Sequence, residues 1–133
     1  MKASRSSITK GLNQGSFVAT CDNSGAKLVR VVSVKLAKTV KRRISSAGIG
    51  DLILVSVKKG TKEMRKQVVF AVPVRQKREY RRPNGMRIKF EDNAVVILKD
   101  DKGNPKGTLL KGPVAKEAAE RWPGVAKLSK IIV

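Results

Sequence analysis

The apolar residues of this chain come in short runs, each stopped by a turn signal, and that spacing constrains the fold more than any other feature. A run too short for an amphipathic helix but rich in β-branched residues suits a strand. Of the 133 residues, 17 are Val and 8 are Ile, most of them inside such runs. Strands recurring at close spacing, with turns between them, predict a small all-β barrel or sandwich. A chain of this length encloses one modest core, so a single domain over 1–133 is expected.

The first strand covers 17–21, and Asp22-Asn23-Ser24-Gly25 then supplies Asx-turn chemistry and a glycine for positive φ. The longest candidate, 27–36, places Leu28, Val32, Val34 and Leu36 on one face. Arg30 interrupts that face, while Val29 and Val31 make the other partly apolar. One face is expected in the core and the second partly covered. Residues 38–50 show no apolar periodicity and read as an exposed, flexible loop. Strands follow at 51–57, with Ile53, Val55 and Val57 alternating, and at 68–74, with Val68, Phe70, Val72 and Val74 inward. Pro73 has no N–H to donate, so this strand is an edge or carries a bulge there. It runs on into a charged ribbon over 75–80. The turn Arg82-Pro83-Asn84-Gly85 leads to two short strands, 86–90 and 94–98, and 100–107 reads as a polar loop. Phe17, Phe70 and Phe90 occupy apolar strand positions and are expected in the core. Tyr80, set among cations, suits either a stacked base or an arginine stem.

The ends differ from this β region, which spans 16–111. Gly112-Pro113 opens a C-terminal helical unit over 112–133, proline being tolerated in the first turn. Val114, Ala118 and Trp122, with Ala115 and Ala119 beside them, form one apolar stripe. Glu117 and Arg121 stand in the favourable order for an i, i+4 ion pair, and Trp122-Pro123 ends the helix. Residues 1–15 carry Lys2, Arg5 and Lys10 without an acid and read as a disordered basic arm that orders on a partner. This arm lacks the apolar core of a secretory signal, and no run reaches the roughly 18 residues of a membrane span. A soluble, intracellular protein with no membrane partner is expected. Cys21 ends an apolar run and reads as an inert strand residue.

Charge decides the kind of partner. Lys and Arg number 30 against 10 Asp and Glu, with no His, a formal net charge of +20. Between 23 and 50 there are seven cations and no acid; between 58 and 90 there are twelve cations against Glu63 and Glu79; beyond 90, eight cations meet six acids. Two acid-poor blocks in so small a body repel each other unless a polyanion screens them, so phosphate binding is expected. With only five aromatic residues the chain is expected to read RNA shape and backbone, not unstacked bases. The candidate RNA-binding residues are Lys27, Lys41, Arg42, Arg43, Lys58, Lys59, Lys62, Arg65, Lys66, Arg75, Lys77, Arg78, Arg81, Arg82 and Arg87. Among them Arg75, Lys77, Arg78, Arg81 and Arg82 form the densest cluster, an expected RNA clamp. The nearly neutral C-terminal unit suits protein contact, with Lys116, Arg121, Trp122, Ile131, Ile132 and Val133 as candidates.

Catalytic chemistry finds little support. Without histidine there is no imidazole base, and one cysteine makes neither a disulfide nor a Cys-only metal site. The pairs Glu91-Asp92, Asp100-Asp101 and Glu117/Glu120 have roles in turns and helix pairing, and adjacent residues point apart where catalytic carboxylates must converge. Asp100-Asp101-Lys102-Gly103-Asn104 lacks the alternating ligands of a calcium loop, and Gly48-Ile49-Gly50 lacks the Lys-Ser/Thr of a nucleotide loop. No enzyme, cofactor, metal or small-molecule substrate is expected.

Specific strings go further. Asp22-Asn23-Ser24-Gly25-Ala26-Lys27, Ala47-Gly48-Ile49-Gly50-Asp51, Val74-Arg75-Gln76-Lys77 and Tyr80-Arg81-Arg82-Pro83-Asn84-Gly85 occur in that order. They are followed by Phe90-Glu91-Asp92-Asn93-Ala94-Val95-Val96-Ile97, Gly107-Thr108 and Gly112-Pro113-Val114-Ala115-Lys116-Glu117. From about Gly11 onward the chain resembles the universal large-subunit ribosomal protein fourteen family, in its archaeal and eukaryotic branch. The resemblance implies a mainly β fold, a small five-stranded β-barrel with a β-ribbon extension and a short C-terminal helical unit. It implies a structural constituent of the cytoplasmic, ribosome-bound large subunit. The implied partners are large-subunit ribosomal RNA, small-subunit ribosomal RNA at an intersubunit bridge, large-subunit proteins three and twenty-four-e, and the subunit anti-association factor. Two other classes compete on charge alone: a basic β-barrel RNA-binding or translation factor off the ribosome, and an architectural DNA-binding protein.

Overall fold

A computed structural model describes residues 1–3 and 6–133; Arg5, counted above among the cations of the N-terminal arm, lies outside the described residues. The strands are β1 (Leu12–Asn13), β2 (Phe17–Thr20), β3 (Ala26–Val34), β4 (Ser46–Ala47), β5 (Ile53–Gly60), β6 (Val68–Arg75), β7 (Tyr80–Arg81), β8 (Arg87–Ile88) and β9 (Ala94–Leu98). Two short helices follow, α1 (Lys116–Arg121) and α2 (Pro123–Leu128). Five strands close a barrel in the order β2-β3-β5-β6-β9. Neighbours are antiparallel except β2 and β9, which run parallel through Ala19↔Ala94 and Thr20↔Val95. Closure removes the barrel's sheet edges, so Pro73 is not on one. It pairs with Val95, and the register shifts between Pro73 and Arg75, the bulge its missing donor calls for.

The barrel is filled by branched side chains, among them Val18, Val29, Val31, Ile53, Val55, Val57, Val95 and Ile97. A second apolar layer lies outside it, where Val72, Val74, Val96 and Leu98 meet Val114, Ala115, Ala118, Trp122 and Val125. Strands β6 and β9 are therefore covered on both faces, which is why Ala94-Val95-Val96-Ile97-Leu98 is apolar without alternation. Trp122 is fully buried and its indole Nε1–H donates to the Gly50 carbonyl at 2.7 Å. The ring lies so close to Gly103 (φ +99°) that a Cβ there would come within 2.4 Å of Trp122 Cε3.

Several expectations are corrected. In β3 it is Val29 and Val31 that enter the barrel, while Val32 and Leu36 are exposed. Arg30 shares the outward face with Val32, and turning that face inward would bury a guanidinium. Bulges after Ala26, Leu28 and Val31 also break the simple alternation. Phe17 and Val68 are exposed, and Phe70 and Phe90 are only partly buried against the second layer. The C-terminal helix starts at Lys116, not at Gly112-Pro113, because Val114 forms a parallel bridge with Ile132. Pro123 ends α1 as expected but also opens α2, its fixed φ and missing N–H suiting a first helical position. Near the N-terminus, in place of a disordered arm reaching residue 15, β1 pairs with β4 through Leu12↔Ala47 and Leu12 is buried. The chain before it is tied on by Gln76 Nε2, which donates to the Thr9 carbonyl at 2.9 Å.

Cys21 is buried, and its Sγ lies 3.5 Å from the Val95 carbonyl. Burial pushes the thiol pKa up to about 12, so the thiolate is scarce at any physiological pH. The folded protein will resist iodoacetamide at pH 8 and react fully once unfolded in guanidinium chloride, as read by mass spectrometry. Rapid alkylation of the folded chain would contradict this burial.

Candidate nucleic-acid interface

The basic ribbon divides into cations held inside and cations displayed. Arg75 is buried: Nε and Nη2 donate to the two carboxylate oxygens of Asp92 at 2.9 and 3.0 Å, and Nη1 donates to the carbonyls of Lys111 and Pro113, both at 2.9 Å. Arg82 donates through Nε to Glu117 Oε1 at 2.7 Å and through Nη2 to the Val133 carbonyl at 2.6 Å. Its side chain is only 12% exposed. Tyr80 completes this knot, its hydroxyl donating to Glu117 Oε2 at 2.8 Å. Burial pushes the Tyr80 pKa up, and the Glu117 carboxylate adds to the rise. Burial alone would lower the Arg82 pKa, but its hydrogen bonds to Glu117 and Tyr80 outweigh that and leave it raised.

Arg75 and Arg82 thus leave the expected RNA clamp. Each spends its planar fork on acceptors that tie distant segments together, a use that suits arginine and not lysine. Tyr80 is settled as a packing residue, with the Arg82 guanidinium 5.9 Å from its ring centre. The remaining ribbon cations, Lys77, Arg78, Arg81 and Arg87, are exposed. Arg78 also donates to the Lys10 carbonyl at 3.3 Å, and Arg87 pairs with Glu79 at 2.7 Å in a solvated contact of small energy.

A denser displayed group lies at one end of the barrel. Lys58 and Lys59 are at the end of β5, and Lys62, Arg65 and Lys66 lie in the connection to β6. All five are exposed, and Lys27 stands beside them on β3, where Ala26 pairs with Gly60. The connection is rigidly seated. Met64 is buried beneath it, Thr61 N–H donates to the Gly25 carbonyl at 2.9 Å, and Lys66 N–H donates to the Val57 carbonyl at 3.1 Å. At Gly60 a Cβ would approach the Gly25 carbonyl to 2.5 Å, so the two turns meet only because that residue has no side chain. Glu63 is the one acid within this connection.

A third group is the loop over 35–45. Lys41, Arg42 and Arg43 are exposed at its tip. Its ends are fixed by the Lys35 N–H donating to the Leu52 carbonyl at 2.8 Å and the Gln14 N–H donating to the Ser45 carbonyl at 2.9 Å.

On the C-terminal unit, Trp122 is enclosed and offers no surface, which removes it from the protein-contact candidates. At the joint between α1 and α2 it joins the core layer of Val72 and Val74 of β6 and Val96 and Leu98 of β9. Arg121 is half-buried and pairs with Asp51 at 3.0 Å. Glu117 is engaged by Arg82 and Tyr80, so the expected pair of Glu117 with Arg121 is not made. Lys116 is exposed, 4.0 Å from Glu120. Ile131, Ile132 and Val133 are exposed although their backbone is bonded to Val114 and Lys116. Sequence reading missed the acids that organise these knots, Asp51, Asp92 and Glu117. Their partners lie 17 to 70 residues away along the chain, and only the scarcity of acids hinted that each is used.

These features define a small mainly β protein: a closed five-stranded barrel with a helical cap, holding some cations internally and displaying others, with three exposed clusters among them. The chain belongs to the ribosomal protein L14p/L23e family, whose pattern matches residues 11–133, and so to the proteins of the large ribosomal subunit. It is 54% identical over 133 residues to the large ribosomal subunit protein uL14 of Nanoarchaeum equitans, covering 100% of both chains. It is 54% identical over 132 residues to that of Methanococcus vannielii, covering 99% of each, and 53% identical over 133 residues to that of Methanothrix thermoacetophila, covering 100% of each.

Proposed function

We propose that this chain is a non-catalytic constituent of the large subunit, acting as one body and held on large-subunit ribosomal RNA mainly by phosphate contacts. The observation that carries the reading is the segregation of cations. Those able to pair internally do so, while the group around Lys27, Lys58, Lys59, Lys62, Arg65 and Lys66 is displayed on a rigid connection with a single acid. Such a group supplies affinity and orientation without reading base sequence. Lys77, Arg78, Arg81 and Arg87 extend the footprint along the ribbon. The Lys41-Arg42-Arg43 tip meets small-subunit RNA in a bridge, and the neighbouring large-subunit proteins three and twenty-four-e lie against the barrel. The exposed Ile131, Ile132 and Val133, beside Lys116, suit the anti-association factor, because burying apolar area there drives association. The working site is the ribosome in the cytoplasm.

Two variants separate these surfaces. Replacing Ile131 and Ile132 by Ser will weaken factor binding to isolated large subunits roughly tenfold or more, while leaving ribosomal RNA affinity and thermal stability unchanged. Replacing Lys41, Arg42 and Arg43 by Ala will weaken subunit joining and spare the factor. If factor affinity survives the first change, the C-terminal tail has no part in recruiting it; if joining survives the second, the loop is not the bridge.

A further inference from the structure

The outer face of the barrel carries an apolar patch that shares only Lys58, at its border, with the phosphate-binding group. Cross-strand register lines up Phe17, Arg30, Ser56 and Val68 in one row over β2, β3, β5 and β6. Phe17 is 59% exposed, Val68 58%, and Val32 on the same side 40%. Ile44, 72% exposed, leans in from the 35–45 loop. An open cleft of about 620 Å³ runs over Val32, Ile44 and Val68, with Arg30 and Lys58 among its lining residues and no acid among them. Apolar side chains gathered on one face with a charged border mark a surface meant to be covered.

We propose that this face docks an acidic, apolar segment of another large-subunit protein, whose aliphatic side chains fill the cleft and whose carboxylates meet Arg30 and Lys58. Charge complementarity sets the partner's sign: an acid-free lining leaves both cations to be answered from outside. Its apolar character argues for protein over RNA. The cleft itself is lined by Val32, Ile44 and Val68, branched aliphatics with no π face for a base. Phe17 beside it is a lone ring where a base-stacking surface needs several, and an RNA strand would lay phosphates over the aliphatics. The proposal rests on the chain's residence in the large subunit, so its test includes a control for that reading.

Large subunits are assembled with the full chain carrying a benzophenone amino acid in place of Phe17, and in parallel in place of Lys66, then irradiated. Position 17 will cross-link to one large-subunit protein, in excess over RNA by more than tenfold, at a peptide combining aliphatic residues with Asp or Glu. Position 66 will cross-link to RNA. A predominant RNA cross-link from position 17, or none, overturns the docking face even when position 66 behaves as expected. Failure at position 66 instead counts against the phosphate-binding reading.

Discussion

Arg75→Ala will lower the stability of the folded chain by about 2–4 kcal/mol, whereas Arg81→Ala, on the same basic ribbon, will leave it nearly unchanged. Removing the Arg75 fork strands the carbonyls of Lys111 and Pro113 and unpairs Asp92. Breaking a buried ion pair costs roughly 3–5 kcal/mol, and an orphaned buried acceptor about 1–3. Asp92 is half-exposed and regains water, which places the estimate toward the lower end. At roughly 3–6 °C per kcal/mol for a chain of this size, the melting temperature falls by about 6–24 °C. Arg75→Lys will not restore it, because one ammonium cannot reach Asp92 and both carbonyls in the same geometry. Thermal unfolding followed by circular dichroism checks all three variants. If Arg75→Ala melts with the parent, the internal knot is not stabilising and the residue returns to the RNA clamp.

Binding to isolated large-subunit ribosomal RNA will weaken by roughly 10³–10⁵-fold between about 50 and 200 mM salt, as for about 6–10 neutralised phosphates. The steepness comes from released counterions, so it depends on displayed cations and not on the total. Replacing Lys62, Arg65 and Lys66 by Ala will therefore flatten the log–log slope by roughly 2–3 without lowering the melting temperature, since the seat of that connection is Met64 and backbone hydrogen bonds. Filter binding over a salt series measures the slope. A slope that does not change would move the contact away from this end of the barrel.

The five barrel strands were legible because β-branched runs between turns leave few alternatives, and the missing donor of Pro73 called for an edge or a bulge, of which the barrel has the bulge. The loop expected over 38–50 was misread in its second half, where Ser46–Ala47 pairs as β4 and Ala47 and Ile49 are buried. Which face of β3 turns inward was harder to read. Leu28, Val32, Val34 and Leu36 outnumber Val29 and Val31, yet Arg30 on their side and the bulges of β3 turn Val29 and Val31 inward, with Val34 still packed against the barrel core. The charge blocks were legible as a field but not residue by residue. A sequence prints Arg75, Arg81 and Arg82 alike, while their fates depend on Asp92 and Glu117, brought close only by barrel closure and by the packing of α1. The same holds for Trp122, whose helical spacing marked it as apolar without showing that Gly50 and Gly103 enclose it. Phe17 is the opposite case, an apolar strand residue left outside because its neighbour in register is Arg30.

Residence on the large subunit through phosphate contacts is read most directly from sedimentation of cell extracts through sucrose gradients in moderate and in high salt. The chain will travel with large subunits and joined ribosomes in moderate salt, with no appreciable free pool, and neutralising Lys62, Arg65 and Lys66 will ease its stripping by rising salt. A chain found chiefly at the top of the gradient in moderate salt would contradict it and favour a factor acting off the ribosome.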